Sequence, residues 1–317
     1  MEQVCNNIDR VATLELRGEG LPRGVIAPLY DAARAGGPPL SLVCARELDQ
    51  VCRRGGNVAV VTGLFDPKYF PDGESDGPLG AVVLGKSLEL HGANVTYLVE
   101  REVTGVIEGL ADVIGTGHRC VALSREDESF NTSLADGFDA AVFIEKTGAT
   151  REGAYHLVTG TDRSGCDSPL MGFLDGMNGA GKLTIGLGDG GNEIGFGKIF
   201  EAARRIVPFG VECLCPRKEG IVTSMATKIL FPACTSNIGA YAICAALSLI
   251  TGRRDLLHTP EAEINLIRAT VPLNSIDGGS GMAREYVDGI PASVNAAIVE
   301  TMRGAVEVFR AERLRTF

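Results

Sequence analysis

The sequence predicts an α/β fold built on a doubly wound, mostly parallel sheet with helices on both faces. Short apolar runs at 58–61, 95–99, 120–123, 140–144 and 183–187 lack polar alternation, as strands covered on both sides do. Helical segments separate most of them, which is the strand–helix alternation of a parallel sheet. Glycine- and acid-rich stretches directly follow three of the runs, where ligand loops of such sheets lie. Together these describe a Rossmann-like three-layer sandwich. The 317 residues are 45% hydrophobic and 22% charged, enough to bury a sizeable core and inconsistent with wholesale disorder.

The segment up to Gly56 reads as helical and is expected to cap the sheet. Pro78 suits the first turn of a helix carrying Leu79, Val82, Val83 and Leu90, with Gly92 as its stop. Ser236 is the expected N-cap of an apolar helix ending near Gly252. From about Pro291, Val294, Ile298, Met302, Val306 and Phe309 share one helical face, with Glu300, Arg303, Glu307 and Arg310 elsewhere, as in an amphipathic cover. No internal repeat or linker demands a boundary. The expectation is one domain over 1–317, with 1–56 as the helical elaboration and 57–317 as α/β core and C-terminal helices.

Forty acidic against thirty basic residues give a net charge of −10. No basic surplus exists to neutralise phosphates, so nucleic acid is excluded as the main partner. The longest mostly apolar stretch, 238–250, is shorter than the roughly 18 residues of a membrane span, so no membrane is expected. The start lacks a basic region with an apolar run and carries Glu2, Asp9 and Glu15, unlike a secretory or transit segment. Nine scattered cysteines form no CxxC pair and no Cys/His set at zinc spacing; the Cys213–Cys215 pair reads as incidental. Reduced thiols in a cytoplasmic protein are expected, with a small acidic metabolite as partner and a homo-oligomer allowed for.

Three strand ends deliver carboxylates to one rim. Thr62-Gly63 leads into a loop bearing Asp66, Asp72, Glu74 and Asp76; Glu145 follows Ile144 directly; Leu187 is followed by Gly188-Asp189-Gly190-Gly191-Asn192-Glu193-Ile194-Gly195. Glycines there permit close backbone approach to a ligand. Asp189 is expected to project from its strand, and Asn192-Glu193 to begin a helix whose free N–H groups favour a carboxylate or phosphate. Carboxylates from separate strands suit Mg²⁺ or Mn²⁺. The same residues also fit a tight turn whose acids merely cap a helix, and residue types alone leave both readings open.

Other motifs discriminate less. The run 186–191 fits G-x-G-x-x-G, but it lies late in the chain without the following acid of a dinucleotide site. The run 176–182 fits the first part of a P-loop, yet Leu183 replaces the required hydroxyl and the run precedes a strand. In the polar loop 151–162, Arg151 suits a substrate carboxylate, His156 proton transfer and Asp162 a metal, against a solvated loop as the plain alternative. The loop 274–281, with Asp277, reads as a wall, a lid or a surface turn. His91, His118 and His258 have no supporting context.

These segments, in this order, resemble the D-glutamate cyclase-like C-terminal domain family over nearly the whole chain. The resemblance rests on 23–25 with 29–30 and 32–34, Thr62-Gly63, 76–81, Ile144-Glu145, 153–155, 188–195, 236–241 and 276–281. Departures at Ile238 and Gly279-Ser280 bear on substrate more than fold. The resemblance implies a metal-assisted dehydration of D-glutamate to 5-oxo-D-proline. It implies Mn²⁺ or Mg²⁺ held by Asp189 and Glu193 with Asp76 or Glu145, and His156 or a remaining acid carrying the proton. Thr62, Gly63, Arg151, Gly190, Gly191, Asn192, Ser236 and Asn237 would hold the substrate, and Asp66, Asp162 and Asp277 are further acids near the rim. A Mn/Mg-dependent phosphatase for a small phosphorylated metabolite and a non-enzymatic binder of an acidic metabolite are the alternatives.

Overall fold

The computed structural model describes residues 1–18 and 20–310. Three helices come first: α1 (Glu2–Ala12), α2 (Ile26–Arg34) and α3 (Leu40–Arg53). The alternating part then runs β1 (Asn57–Thr62), α4 (Pro78–Leu90), β2 (Asn94–Val99), α5 (Thr104–Ile114), β3 (Cys120–Ala122), α6 (Glu128–Ser133) and β4 (Ala140–Ile144). It continues through α7 (Met171–Gly179), β5 (Leu183–Gly188), α8 (Phe200–Ile206), β6 (Ile229–Pro232), α9 (Ser236–Thr251) and α10 (Pro260–Thr270). A short antiparallel pair, β7 (Tyr286–Val287) and β8 (Ile290–Pro291), leads into α11 (Ala292–Arg310).

The six-stranded sheet is parallel throughout, in the order β3-β2-β1-β4-β5-β6. Strand order reverses between β1 and β4, whose ends align with Thr62 opposite Ile144. That crevice is where open α/β sheets bind ligands. Both sheet faces are buried, which is why the strands read as continuous apolar runs. Val58, Val60, Val142 and Leu187 enter one core with the N-terminal helices, α4, α9 and α11. Ala59, Val61, Ala141 and Phe143 enter a second core against α7. The helix α9 is buried on nearly every side, packed between sheet, α3, α4 and α11.

Several details differ from expectation. The edge strand β6 leaves little trace in the sequence, because its apolar run is three residues ended by Pro232. The N-cap of α9 is Thr235, whose hydroxyl accepts from Ile238 N at 3.3 Å; Ser236 is the first helical residue, and its hydroxyl is thereby free for other work. In α11, Ile298, Met302 and Val306 are buried, but Phe309 is half exposed, because the last turn is held by Arg310 on the Ser248 and Leu249 carbonyls instead of by apolar packing. No helix among the described residues is long and apolar enough to cross a membrane.

Gly186 in β5 shows how tightly the loop beyond the strand is laid down. A Cβ there would meet the Ile194 carbonyl oxygen at 2.3 Å and the Gly195 Cα at 2.9 Å. Both are backbone atoms and cannot swing aside. Gly186→Ala is expected to destabilise by roughly 1–3 kcal/mol, the usual effect of overpacking, read as a lower urea midpoint with unchanged slope.

Candidate functional site

The site is assembled from chain segments that leave neighbouring strands at the switch point. Asp76 follows β1 and precedes α4; Glu145 follows β4; Asp189 and Glu193 follow β5. Asp76, Asp189 and Asp288 each offer an oxygen within 4.8 Å of the others, and so do Glu145, Asp189 and Glu193. Asp189 therefore belongs to both groups. All of these side chains are buried, and one oxygen of Asp189, Oδ2, has no hydrogen-bond partner. Glu74 closes the far side. A Cβ on Gly278 would lie 2.1 Å from Glu74 Oε1 and 2.8 Å from Asp288 Oδ1, so the 274–281 loop forms a wall.

Each carboxylate is aimed by specific backbone chemistry. Asp76 accepts from the backbone N–H groups of Ser236 (2.8 Å) and Asn237 (2.9 Å), so it caps α9. Asn237 in turn accepts from Gly77 N and Gly80 N through Oδ1, tying α9 to α4. Ser236 Oγ donates to Glu145 Oε2 at 2.6 Å. Glu145 itself sits at φ +50°, a left-handed conformation that a glutamate adopts only under constraint. Thr62 Oγ1 donates to the Ile144 carbonyl at 2.7 Å, fastening β1 to β4 just below it.

The expected helix at Asn192 does not form. Glu193 turns back and accepts from the N–H groups of Asp189, Gly190 and Gly191, all at 2.7 Å. Ile194 N and Gly195 N are drawn off to the carbonyls of Lys146 and Met225. The first full helix after β5 is α8. The amides reserved for an external anion are thus filled by the chain's own carboxylate.

Burial and mutual repulsion govern the cluster's protonation. Burial first, then the Asp189 charge, pushes the Asp76 carboxyl up to about 7. Burial and the nearby Asp76 raise Asp288 to about 7 as well. Glu74, Glu145 and Asp189 are held well above the ordinary range, chiefly by burial and then by their neighbours or, for Asp189, against the pull of Arg17. That arginine, from the segment after α1, places Nη1 3.0 Å from Asp189 Oδ1. A donor set of oxygens only, one of them unpartnered, fits a hard divalent cation such as Mn²⁺ or Mg²⁺.

A family model described as "D-glutamate cyclase-like, C-terminal" matches residues 32–303. The chain belongs to this family. The human protein "D-glutamate cyclase, mitochondrial" is similar at 27% identity over 212 residues, covering 61% of this chain and 33% of the human protein. The chain thus matches about a third of that relative's length. Two solved structures, of the exonuclease RecJ bound to manganese and of RecJ from Thermus thermophilus in complex with Mn²⁺, align over 85% and 91% of this chain and 65% and 44% of theirs. Their TM-scores are 0.37 and 0.34 at 12% and 13% identity, a likeness that carries no argument.

In this D-glutamate cyclase-like chain the remaining candidates separate. Asn192 lines the cleft and donates through Nδ2 to the His156 carbonyl at 2.9 Å, while Gly190 and Gly191 give their N–H groups to Glu193. Ser236 and Asn237 act on the carboxylates as described, and the Gly63 carbonyl accepts from buried Lys146 at 3.3 Å. Arg151 is exposed, stacked on Phe200 and ion-paired with Glu201, outside the cluster. The ring of His156 faces Cys215, not the acids. Asp66 accepts from Lys68 N and Tyr69 N as a turn-former, and Asp162 accepts from Ser164 N and lies near Arg217. Asp277 is bound to Gly289 N and Arg284.

Sequence reasoning does not single out Arg17, Glu74 or Asp288 as site residues. Arg17 lies in an unpatterned segment and Asp288 in a two-residue turn, so only folding reveals them. Beside the cleft, Lys146 pairs with Glu100 at 2.5 Å, and Ser168 donates to Glu100 through both N and Oγ. This network satisfies itself and braces the loop after β4. A small cleft of about 90 Å³ is lined by Glu74, Glu145, Asp189, Asn192, Gly278 and Asp288 among others. A larger cavity of about 610 Å³ lies around Lys86, Arg254 and His258 and is lined by none of these carboxylates.

The raised carboxyls make the metal-free protein pH-sensitive. A carboxyl whose folded pKa lies above its unfolded value stabilises at low pH, and that contribution is lost as pH rises through the folded value. For Asp76 and Asp288 the loss runs from about 4 to above 7. It amounts to at most on the order of 4 kcal/mol for one such group. His156, held low by burial, works in the opposite direction, but it is one imidazole against five carboxyls. Chelated protein should therefore melt at a higher temperature near pH 5.5 than near pH 8, and added Mn²⁺ should narrow the gap. Equal melting temperatures at both pH values would contradict this arrangement.

Removing one charge should relieve the same strain. Asp288 sits at φ +51°, a conformation that asparagine tolerates as well as aspartate. Asp288→Asn is expected to stabilise the metal-free protein at pH 8 by roughly 1–2 kcal/mol. Calorimetry with and without Mn²⁺ measures this, and the gain should vanish when the cation is present.

Proposed function

We propose that the chain catalyses the cyclisation of D-glutamate to 5-oxo-D-proline with release of water. The single observation that carries the reading is the convergence of buried carboxylates on Asp189 at the sheet's switch point. Family membership and the name of the human relative support the substrate class.

Six carboxylates gather around the cleft, with Arg17 ion-paired to Asp189 and Arg163 acting on Glu74, and a dicarboxylate substrate would be disfavoured by that excess of acids. The residues suited to hold Mn²⁺ or Mg²⁺ are Asp189 with Asp76, Glu145 and Asp288, while Glu193 is engaged by three amides and orients the turn. Such a cation supplies positive charge for the substrate's γ-carboxylate and makes its carbon a better electrophile. The α-nitrogen must lose its extra proton before it can attack. A carboxylate of the Asp76–Asp288 group, with affinity near neutrality, suits that proton transfer and its return to the departing oxygen. The new bond joins the nitrogen to the γ-carbon, and the carboxyl oxygen leaves as water with the two protons the nitrogen gives up. Asn192 and Gly278 line the cleft together with the acids.

A phosphatase reading loses its anchor, because the turn amides that would cradle phosphate are taken by Glu193. The deciding experiment is turnover by metal-stripped protein with D-glutamate, L-glutamate or a phosphomonoester. The expected outcome is 5-oxo-D-proline from D-glutamate only after Mn²⁺ or Mg²⁺ is restored. Asp189→Asn should lower kcat/KM by about 10²–10³ or more. Phosphate release alone, or D-glutamate turnover undiminished in Asp189→Asn, would refute the proposal.

A further inference from the structure

A second cluster of ligating side chains lies outside the carboxylate group. His156, Cys213 and Cys215 are all buried, and one ligand atom from each lies within 4.8 Å of the others. The two sulfurs are 3.0 Å apart, and His156 Nε2 is 3.4 Å from Cys215 Sγ. His156 Nδ1 is buried with no partner. A buried imidazole with a thiol as its side-chain neighbour is poorly satisfied as it stands.

The ligands come from two segments that the backbone already fixes together. Residues 156 and 162 bridge in a tight hairpin, and Leu214 N, between the cysteines, donates to the Gly160 carbonyl at 3.0 Å. The 209–221 loop is closed by Ile221 N on the Phe209 carbonyl. This preorganisation holds the three side chains in place without any added ion, which lowers the entropic cost of binding one. Because 56 residues lie between His156 and Cys213, no spacing motif could have disclosed the set.

We propose that His156 Nε2, Cys213 Sγ and Cys215 Sγ bind a thiophilic divalent cation of the Zn²⁺ class. Tetrahedral zinc with Zn–S near 2.3 Å and Zn–N near 2.0 Å sets its ligand atoms roughly 3.5–3.8 Å apart, so the observed cluster needs only a slight opening. Water completes the coordination. Burial opposes the thiolate at both cysteines and lowers His156, while the proton that the two thiols share brings Cys213 below its usual range and raises Cys215. A Cys213–Cys215 disulfide would instead leave the buried ring with no polar side-chain partner and close a strained ring across one residue. The bound ion staples the hairpin and loop beside the turn after β5: the His156 carbonyl holds Asn192, and Thr223 N donates to the Gly191 carbonyl at 3.2 Å. Soft ligands here and hard oxygens in the cleft select different metals.

Cobalt distinguishes the two sites, because only thiolate ligands give sulfur-to-cobalt charge-transfer absorption in the near ultraviolet. Full-length protein purified with reductant, stripped of metal and titrated with Co²⁺ should develop that band, and Zn²⁺ should bleach it at one equivalent. Cys213→Ser and Cys215→Ser should each abolish the band and weaken Zn²⁺ binding at least roughly tenfold. His156→Gln should retain a weaker, shifted band. No band in the reduced wild-type protein would overturn the proposal even if the variants fail to fold. A disulfide between the two cysteines in reductant-purified protein, seen by peptide mass, would overturn it as well, as would a band that survives both serine variants.

Discussion

Mutual repulsion among buried carboxylates is the constraint around which the rest of this molecule is arranged. Asp76, Glu145, Asp189 and Asp288 could not be packed together by an apolar core alone, since burial first and then neighbouring carboxylates push their proton affinities upward. The fold counters with many directed contacts. Asp76 sits on the first amides of α9, Glu145 takes the Ser236 hydroxyl, and Arg17 is brought from the N-terminal segment. Glu145 is held in a backbone conformation it would otherwise avoid. Strain of this kind persists only where surrounding structure overdetermines it, and such places are enriched in function.

Helix α9 connects core and site in one element. Its buried apolar length fixes it beneath the strands, and its N-terminal turn addresses two carboxylates through backbone and hydroxyl groups. A shift of α9 along its axis would therefore move Asp76 and Glu145 together. The turn after β5 behaves in the opposite way. Its geometry is set from within, by Glu193, and the close approach of Ile194 to Gly186 leaves it no slack.

Much of the sheet is legible in the sequence because strands buried on both faces leave unbroken apolar runs, and parallel sheets carry their ligands at predictable ends. The acids at Asp76, Glu145, Asp189 and Glu193 are visible for the same reason. Local pattern cannot tell that Glu193 consumes the turn's amides, because the competition between a helix and a side-chain-closed turn is settled by the carbonyls of Lys146 and Met225, distant from the turn in sequence. The cap of α9 falls one residue before Ser236, since Thr235 is an equally good cap. Arg17, Asp288 and the pairing of His156 with two cysteines depend on contacts between segments that share no periodicity.

Arg17 lies outside residues 32–303, the stretch the family model covers, yet it reaches a carboxylate shared by both acidic groups. One positive counterweight of the cleft, Arg17, is thus carried outside the match, while the acids and Arg163 lie within it. Cleft charge and scaffold architecture are therefore separable variables. A lineage could retune the electrostatic appetite of this crevice by rewriting a short N-terminal strap, leaving every strand and every acid untouched. Dissecting the chain at the borders of the family match would discard that counterweight and hand the experimenter a more anionic crevice than the intact polypeptide possesses.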